Sequence, residues 1–136
     1  MAIRFKVIPR KSPRDKSVKY YASIKHSTIS EKQFVENIVQ KNTCTRADVL
    51  AVIASVKDEL VSCIRNGQNV TLPEIGSFGS SCSSKGSATK EAFTAANITR
   101  LSVRFRPTSQ FRYDCAVNNP AVSFVNDEPR TDETEP

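Results

Sequence analysis

Arg100-Leu101-Ser102-Val103-Arg104-Phe105-Arg106-Pro107 is the stretch on which the fold turns. Leu101, Val103 and Phe105 alternate with Arg100, Arg104 and Arg106, which is the period of a strand with one apolar face and one face of guanidinium groups. A guanidinium donates two parallel hydrogen bonds to phosphate oxygens, so such a strand matches phosphate geometry. A solvated sheet face is the plainer alternative. Pro107-Thr108 stops the strand, and Ser109 to Cys115 then has the length of a short terminal helix capped by Thr108 or Ser109.

Upstream of this strand the β pattern is broken. Val70, Leu72, Ile75 and Phe78 are apolar, Pro73 and Gly76 interrupt their alternation, and the polar run Ser80 to Ala88 is expected to be flexible. Two helices precede it. Ser30-Glu31-Lys32-Gln33 has the form of a capping box, with the Ser30 hydroxyl accepting from the Gln33 amide and the Gln33 side chain reaching back. Phe34, Val35, Ile38 and Val39 then follow at helical spacing to about Lys41. Thr45 caps the second helix, with Asp48 in its positive first turn, and Asn66-Gly67 closes it. Its stripe of Val49, Val52, Ile53, Val56, Leu60, Val61 and Ile64 is wide for a lone surface helix, so a partner is expected, most simply a second copy.

Further out, Ile3, Phe5 and Val7 alternate with Arg4 and Lys6. This predicts a strand from Ile3 to Ile8 with one buried and one cationic face. Pro9 to Ser17 is a basic turn region, and Val18 to Lys25 resumes as a strand in which Tyr20, Ala22 and Ile24 share a side. The two make a hairpin with a long basic loop. Edge strands also carry Lys and Arg merely to prevent edge pairing, so its cations have two readings.

The formal charge of the 136-residue chain is +6, and its distribution is uneven. Residues 1–27 hold eight Lys/Arg against Asp15 alone, 28–66 are neutral, 67–115 carry six basic and three acidic groups, and 116–136 hold five acids against Arg130. This describes a packing module with a charged surface and an acidic tail expected to be disordered. A basic domain of this size meets a polyanion or an anionic membrane surface, and charge alone does not choose between them.

Other classes are disfavoured. Cys44, Cys63, Cys82 and Cys115 lie far apart and His26 is the single histidine, a poor basis for a zinc site. The cysteines are expected as reduced, mostly buried thiols in a cytoplasmic protein. The opening Met1-Ala2-Ile3-Arg4 has no apolar run of a signal peptide or membrane span. No glycine-rich phosphate loop, metal-spaced carboxylates or nucleophile beside a histidine points to an enzyme.

From Ile29 to about Cys115 the order of elements resembles the HU/IHF family of histone-like bacterial DNA-binding proteins. The resemblance rests on two capped helices, then Asn69-Val70-Thr71-Leu72-Pro73-Glu74-Ile75-Gly76-Ser77-Phe78, an arm, and a strand ending Phe105-Arg106-Pro107. Thr45-Arg46-Ala47-Asp48-Val49-Leu50 and the basic hairpin look closest to a longer HU-like branch with an N-terminal extension. The resemblance implies an α+β fold with a helical dimerisation base, a β-sheet and a protruding β-arm, preceded here by the hairpin. The domains would be the hairpin at 1–27, the HU/IHF-like domain at 28–115 and the acidic tail at 116–136.

The implied function is non-catalytic, largely sequence-independent DNA binding and nucleoid organisation by a cytoplasmic, nucleoid-associated homodimer. No cofactor, metal, membrane or small-molecule substrate is called for, and RNA stays open as the polyanion. Lys85 and Lys90 would lie on an arm from about Ser80 to Ile98, and Arg104 and Arg106 on the returning strand; Arg100, Arg4 and Lys6 complete the DNA-binding set. The family's arm carries an Asn-Pro wedge that intercalates between base steps, but no proline lies between Pro73 and Pro107. Binding without a sharp kink is therefore expected. The alternative is a protein-interaction or self-assembly scaffold that uses the hairpin edge and the arm.

Overall fold

The structure is a computed structural model that describes residues 2–128. The chain runs β1 (Ile3–Lys11), β2 (Val18–Ile24), α1 (Glu31–Val39), α2 (Arg46–Arg65), β3 (Val70–Leu72), β4 (Gly76–Ser84), a 3-10 turn (Ala95–Asn97), β5 (Ile98–Pro107), α3 (Ser109–Asp114) and β6 (Phe124–Asn126). It divides into two compact units. One is Ser30–Arg112, and the other joins the described parts of Met1–Ile29 and Tyr113–Pro136.

In the Ser30–Arg112 unit the helix ends are built by short-range hydrogen bonds. Ser30 Oγ accepts from the Gln33 amide at 3.2 Å. The Gln33 side chain does not reach back; it donates to Asn37 Oδ1 at 2.9 Å, because a carbonyl one turn along the same face is within equal reach. At α2 the box is complete. Asp48 accepts from the Thr45 amide at 3.0 Å and its hydroxyl at 2.7 Å, while the Asp48 amide donates to Thr45 Oγ1 at 3.3 Å. These bonds from Thr45 hold the Asp48 carboxyl below its ordinary pKa. The far end closes as a Schellman motif: Gly67 takes φ +72°, its amide donates to Ile64 O at 3.1 Å, and the Gln68 amide donates to Cys63 O at 2.9 Å.

Three apolar side chains form the buried core among the described residues: Val35, Val49 and Ile64. The middle of the α2 stripe stays uncovered, with Ile53 44% and Val56 45% exposed. The cysteines depart from expectation in the same direction, since Cys44, Cys82 and Cys115 are exposed and Cys63 is half-buried. A single copy has too little apolar surface folded over them.

The sheet of this unit has the order β3-β4-β5, antiparallel throughout. The polar run expected to be flexible belongs in part to β4, where Ser80 to Ser84 pair with Val103 to Ile98. Serines leave every backbone N–H free to join the ladder, so polarity did not prevent pairing. The register slips between Ser83, opposite Arg100, and Ser84, opposite Ile98, which leaves Thr99 as the extra residue of a bulge. Its hydroxyl donates to Ser83 O at 3.2 Å.

The other unit is a three-stranded sheet, β2-β1-β6. β1 runs on to Lys11 and the loop is shorter than expected, because Pro9 lies within β1 opposite Tyr20, while β2 ends at Ile24 rather than Lys25. β6 pairs only with Ile3 to Phe5, so the side of β1 where Pro9 lacks an N–H has no neighbour to satisfy. The expected disorder of 116–136 is corrected over its described part. Phe124–Asn126 forms β6, parallel to β1, and the Ile3 amide donates to Ser123 O at 2.8 Å. An edge strand of β1 with unpaired backbone groups is a template that a short tail segment satisfies despite its acidic composition. The last residues of the tail, 129–136, lie outside the described residues.

Candidate nucleic-acid interface

The β4–β5 ribbon sorts its side chains by register. On one face Phe78 lies opposite Phe105, Ser80 opposite Val103 and Cys82 opposite Leu101. The Phe78 and Phe105 rings meet at 5.0 Å between centroids, tilted by 38°, yet Val103 remains 65% and Leu101 60% exposed. On the other face Arg106 lies opposite Ser77, Arg104 opposite Gly79 and Arg100 opposite Ser83. Every arginine therefore faces a small residue across the ladder, so no bulky neighbour covers it.

The local chemistry suits an anion. Arg104 Nε donates to Ser81 Oγ at 2.8 Å, which anchors the side chain by its inner nitrogen and leaves the terminal nitrogens for a ligand. Asn69, Thr71, Ser77, Gly79, Arg104 and Arg106 line a groove of about 550 Å³. The Asn69 carbonyl oxygen would stand 2.9 Å from a Cβ on Gly79, so its amide rests in the space that glycine leaves. Thr71 Oγ1 and Ser77 Oγ lie 3.2 Å apart in the same groove. The sequence did not assign Asn69, Thr71, Ser77 and Ser81 to the binding surface, because small polar residues carry no such signal until the register places them beside arginines.

Lys85 and Lys90 lie in the segment between β4 and β5 and are exposed. The base of that segment is closed by the Lys85 amide donating to Asn97 O at 2.8 Å and Asn97 Nδ2 donating to Lys85 O at 3.3 Å. Arg100, Arg104 and Arg106 thus share one strand face, and the two lysines occupy the turn that joins it to β4.

In the hairpin unit, Arg4 and Lys6 lie on the face of β1 opposite Ile3, Phe5 and Val7, as the alternation requires. Phe5 pairs with Ile24, Val7 with Ala22 and Pro9 with Tyr20, giving a common apolar face. Arg4 has a partner that the sequence did not reveal. Asp127 accepts from Lys25 Nζ at 2.6 Å and stands 3.7 Å from an Arg4 terminal nitrogen. The Lys25 hydrogen bond and charge, with a smaller contribution from Arg4, hold the Asp127 carboxyl below its ordinary pKa.

Two helices beside a sheet whose long ribbon bears arginines on one face define an HU-like α+β fold. The family model described as "HU domain fused to wHTH, Ig, or Glycine-rich motif" matches residues 1–119, and the chain belongs to that family. Among solved structures, a candidate bacterial DNA-binding protein from Bacteroides vulgatus matches with a TM-score of 0.59 and 16% identity, over 94% of this chain and 50% of that one. This chain therefore spans about half the length of that protein. An HU protein from Anabaena, crystallised with DNA, gives a TM-score of 0.51 at 19% identity, over 65% of this chain and 99% of its own. An HU mutant from Thermotoga maritima gives 0.47 at 12% identity, over 65% and 100%. Comparison with curated proteins gives no significant match.

Proposed function

We propose that this chain is a non-catalytic DNA-binding protein that grips the phosphate backbone with little sequence preference and contributes to nucleoid organisation. The observation that carries this reading is the arginine face of β5, set across from Ser77, Gly79 and Ser83 and flanked by hydroxyl and amide donors. Such a face offers charge and bidentate donors but no set of groups arranged to read base edges. The solved HU protein crystallised with DNA has the same fold, which supports the reading. Lys85 and Lys90 extend the surface onto the arm.

The binding form is a homodimer. A second copy covers the middle of the α2 stripe, where Val52, Ile53 and Val56 are exposed. Without a proline on the arm the duplex is held without a sharp kink, so an energy-transfer assay on end-labelled duplex should show little bending.

A gel-shift series with linear duplex, nicked duplex, four-way junction and RNA of equal length tests the function. Similar affinities for unrelated duplex sequences and a steep loss of binding with salt are expected. Salt-insensitive binding, or concentration-dependent assembly without nucleic acid binding, would favour the scaffold alternative.

A further inference from the structure

We propose that the loop end of the β1–β2 hairpin is a second phosphodiester-binding surface, centred on Arg10 and Lys19 and separate from the arginine face of β5. The proposal rests on the DNA-binding reading above and names a site that the fold's β-arm does not include. Its basis is the difference between the two ends of one sheet face. Arg4, Lys6, Ile8 and Arg10 share a face of β1, with Ser23 opposite Lys6, Tyr21 opposite Ile8 and Lys19 opposite Arg10. At the Arg4 end, Asp127 pairs with Lys25 and Arg4 and offsets one of their two charges. At the Arg10 end, two cations stand directly across the ladder with side-chain roots about 5 Å apart, an arrangement that repels in a sheet.

Among the described residues no carboxylate pairs with either cation to relieve that repulsion. Among the described residues Arg10, Lys11 and Lys19 take part in no ion pair. The loop's own acid, Asp15, is occupied by Ser17, whose amide donates at 3.2 Å and whose hydroxyl donates at 2.8 Å. The loop is held in place by the Ser12 amide donating to Ser17 O at 2.9 Å and the Lys16 amide donating to Ser12 O at 3.2 Å. Lys16 sits at φ +57°, a left-handed conformation that glycine or asparagine adopts more easily, so the loop keeps a further cation at a conformational cost.

Around the paired cations lies a concavity of about 600 Å³, lined by Arg10, Lys11, Ser12, Ser17, Lys19 and Tyr21 among others. The Arg10, Lys11 and Lys19 cations make the cradle for phosphate oxygens, since the Ser17 hydroxyl is spent on Asp15, and the Tyr21 ring supplies an apolar wall for a sugar. Lys6 lies four residues from Arg10 on the same face, about 13 Å along the strand. One small anion does not span that distance, whereas a nucleic acid carries a charge every ~1.7 Å of duplex axis and meets both ends.

The test measures the salt dependence of duplex binding by the full chain and by an Arg10→Ala/Lys19→Ala variant, with single-stranded DNA and double-stranded RNA as parallel probes. Each lost phosphate contact lowers the log–log slope by about 0.9, so a reduction of about 1.8 per protomer is expected on duplex DNA. The reduction should add to that of Arg104→Ala/Arg106→Ala, since the two pairs lie on different units and share no partner. A Lys32→Ala/Lys57→Ala control, which removes the same charge from the helices, should leave the slope unchanged. An Arg10→Gln/Lys19→Gln variant keeps polar bulk and should behave like the alanine pair if the charges act through phosphate. An unchanged slope in both hairpin variants, with wild-type binding intact, would overturn the inference while leaving the DNA-binding reading standing. Loss of binding to phosphatidylglycerol vesicles with duplex binding unaffected would assign the cations to a membrane surface and overturn it too. Wild-type protein that binds no nucleic acid would overturn both.

Discussion

A Cβ placed on Gly76 would meet the Arg106 carbonyl oxygen, the Phe105 ring at 2.7 Å and Pro107 Cα at 2.9 Å. Two of those three neighbours are β5 backbone, which has no rotamer with which to yield. Gly76→Ala should therefore push β4 from β5 at the base of the ribbon and cost about 1–3 kcal/mol, seen as a drop of several degrees in thermal unfolding. Gly67 has open space instead and a φ of +72°, so its substitution tests backbone strain rather than packing. At this scale the sequence is most readable where partners are close along the chain. The Ser30, Thr45 and Thr108 caps close within three residues, and the local pattern announces them. Arg104 and Ser81 are 23 residues apart, and only the strand register brings them together.

Among the elements, β5 and β1 were legible from their alternation, because one face of each is apolar and the period of two survives in the sequence. β6 was not. Three residues carry too short a period, and their acid-rich surroundings resemble a solvated tail; the pairing exists because β1 offers an open edge. Asp127 fastens that strand to Arg4 and Lys25, which gives a pH dependence of definite sign. Its pKa is depressed in the folded chain, so the anchoring is present above the ordinary carboxylate value and is lost as pH falls through the lowered one. Hydrogen exchange at the Ile3 amide, bonded to Ser123 O, should speed up over that acidic interval beyond the intrinsic pH trend, and in Asp127→Asn at neutral pH. The same substitution frees two cations and should strengthen duplex binding at low salt. Weaker binding would place Asp127 on the side of the site's architecture rather than in competition with phosphate.

For the whole molecule, the apolar surface left open is the ground for the proposed dimer. The width of the α2 stripe was readable from helical spacing, and the exposure of Val52, Ile53 and Val56 shows that a single copy does not bury it. Ile53→Asp puts a charge where the second copy is expected to pack, so folding or dimerisation should fail. Light scattering that finds a well-folded wild-type monomer at micromolar concentration would contradict the dimer. The proposed function places the grip on the arginine face of β5, and salt dependence measures that grip most directly. Arg104→Ala/Arg106→Ala should leave thermal unfolding nearly unchanged, because both side chains are exposed. It should weaken binding to unrelated duplexes alike and lower the log–log salt slope by about 1.8 per protomer. A double variant that folds normally and binds duplex DNA with the wild-type salt slope would contradict the assignment of β5 as the phosphate-gripping strand.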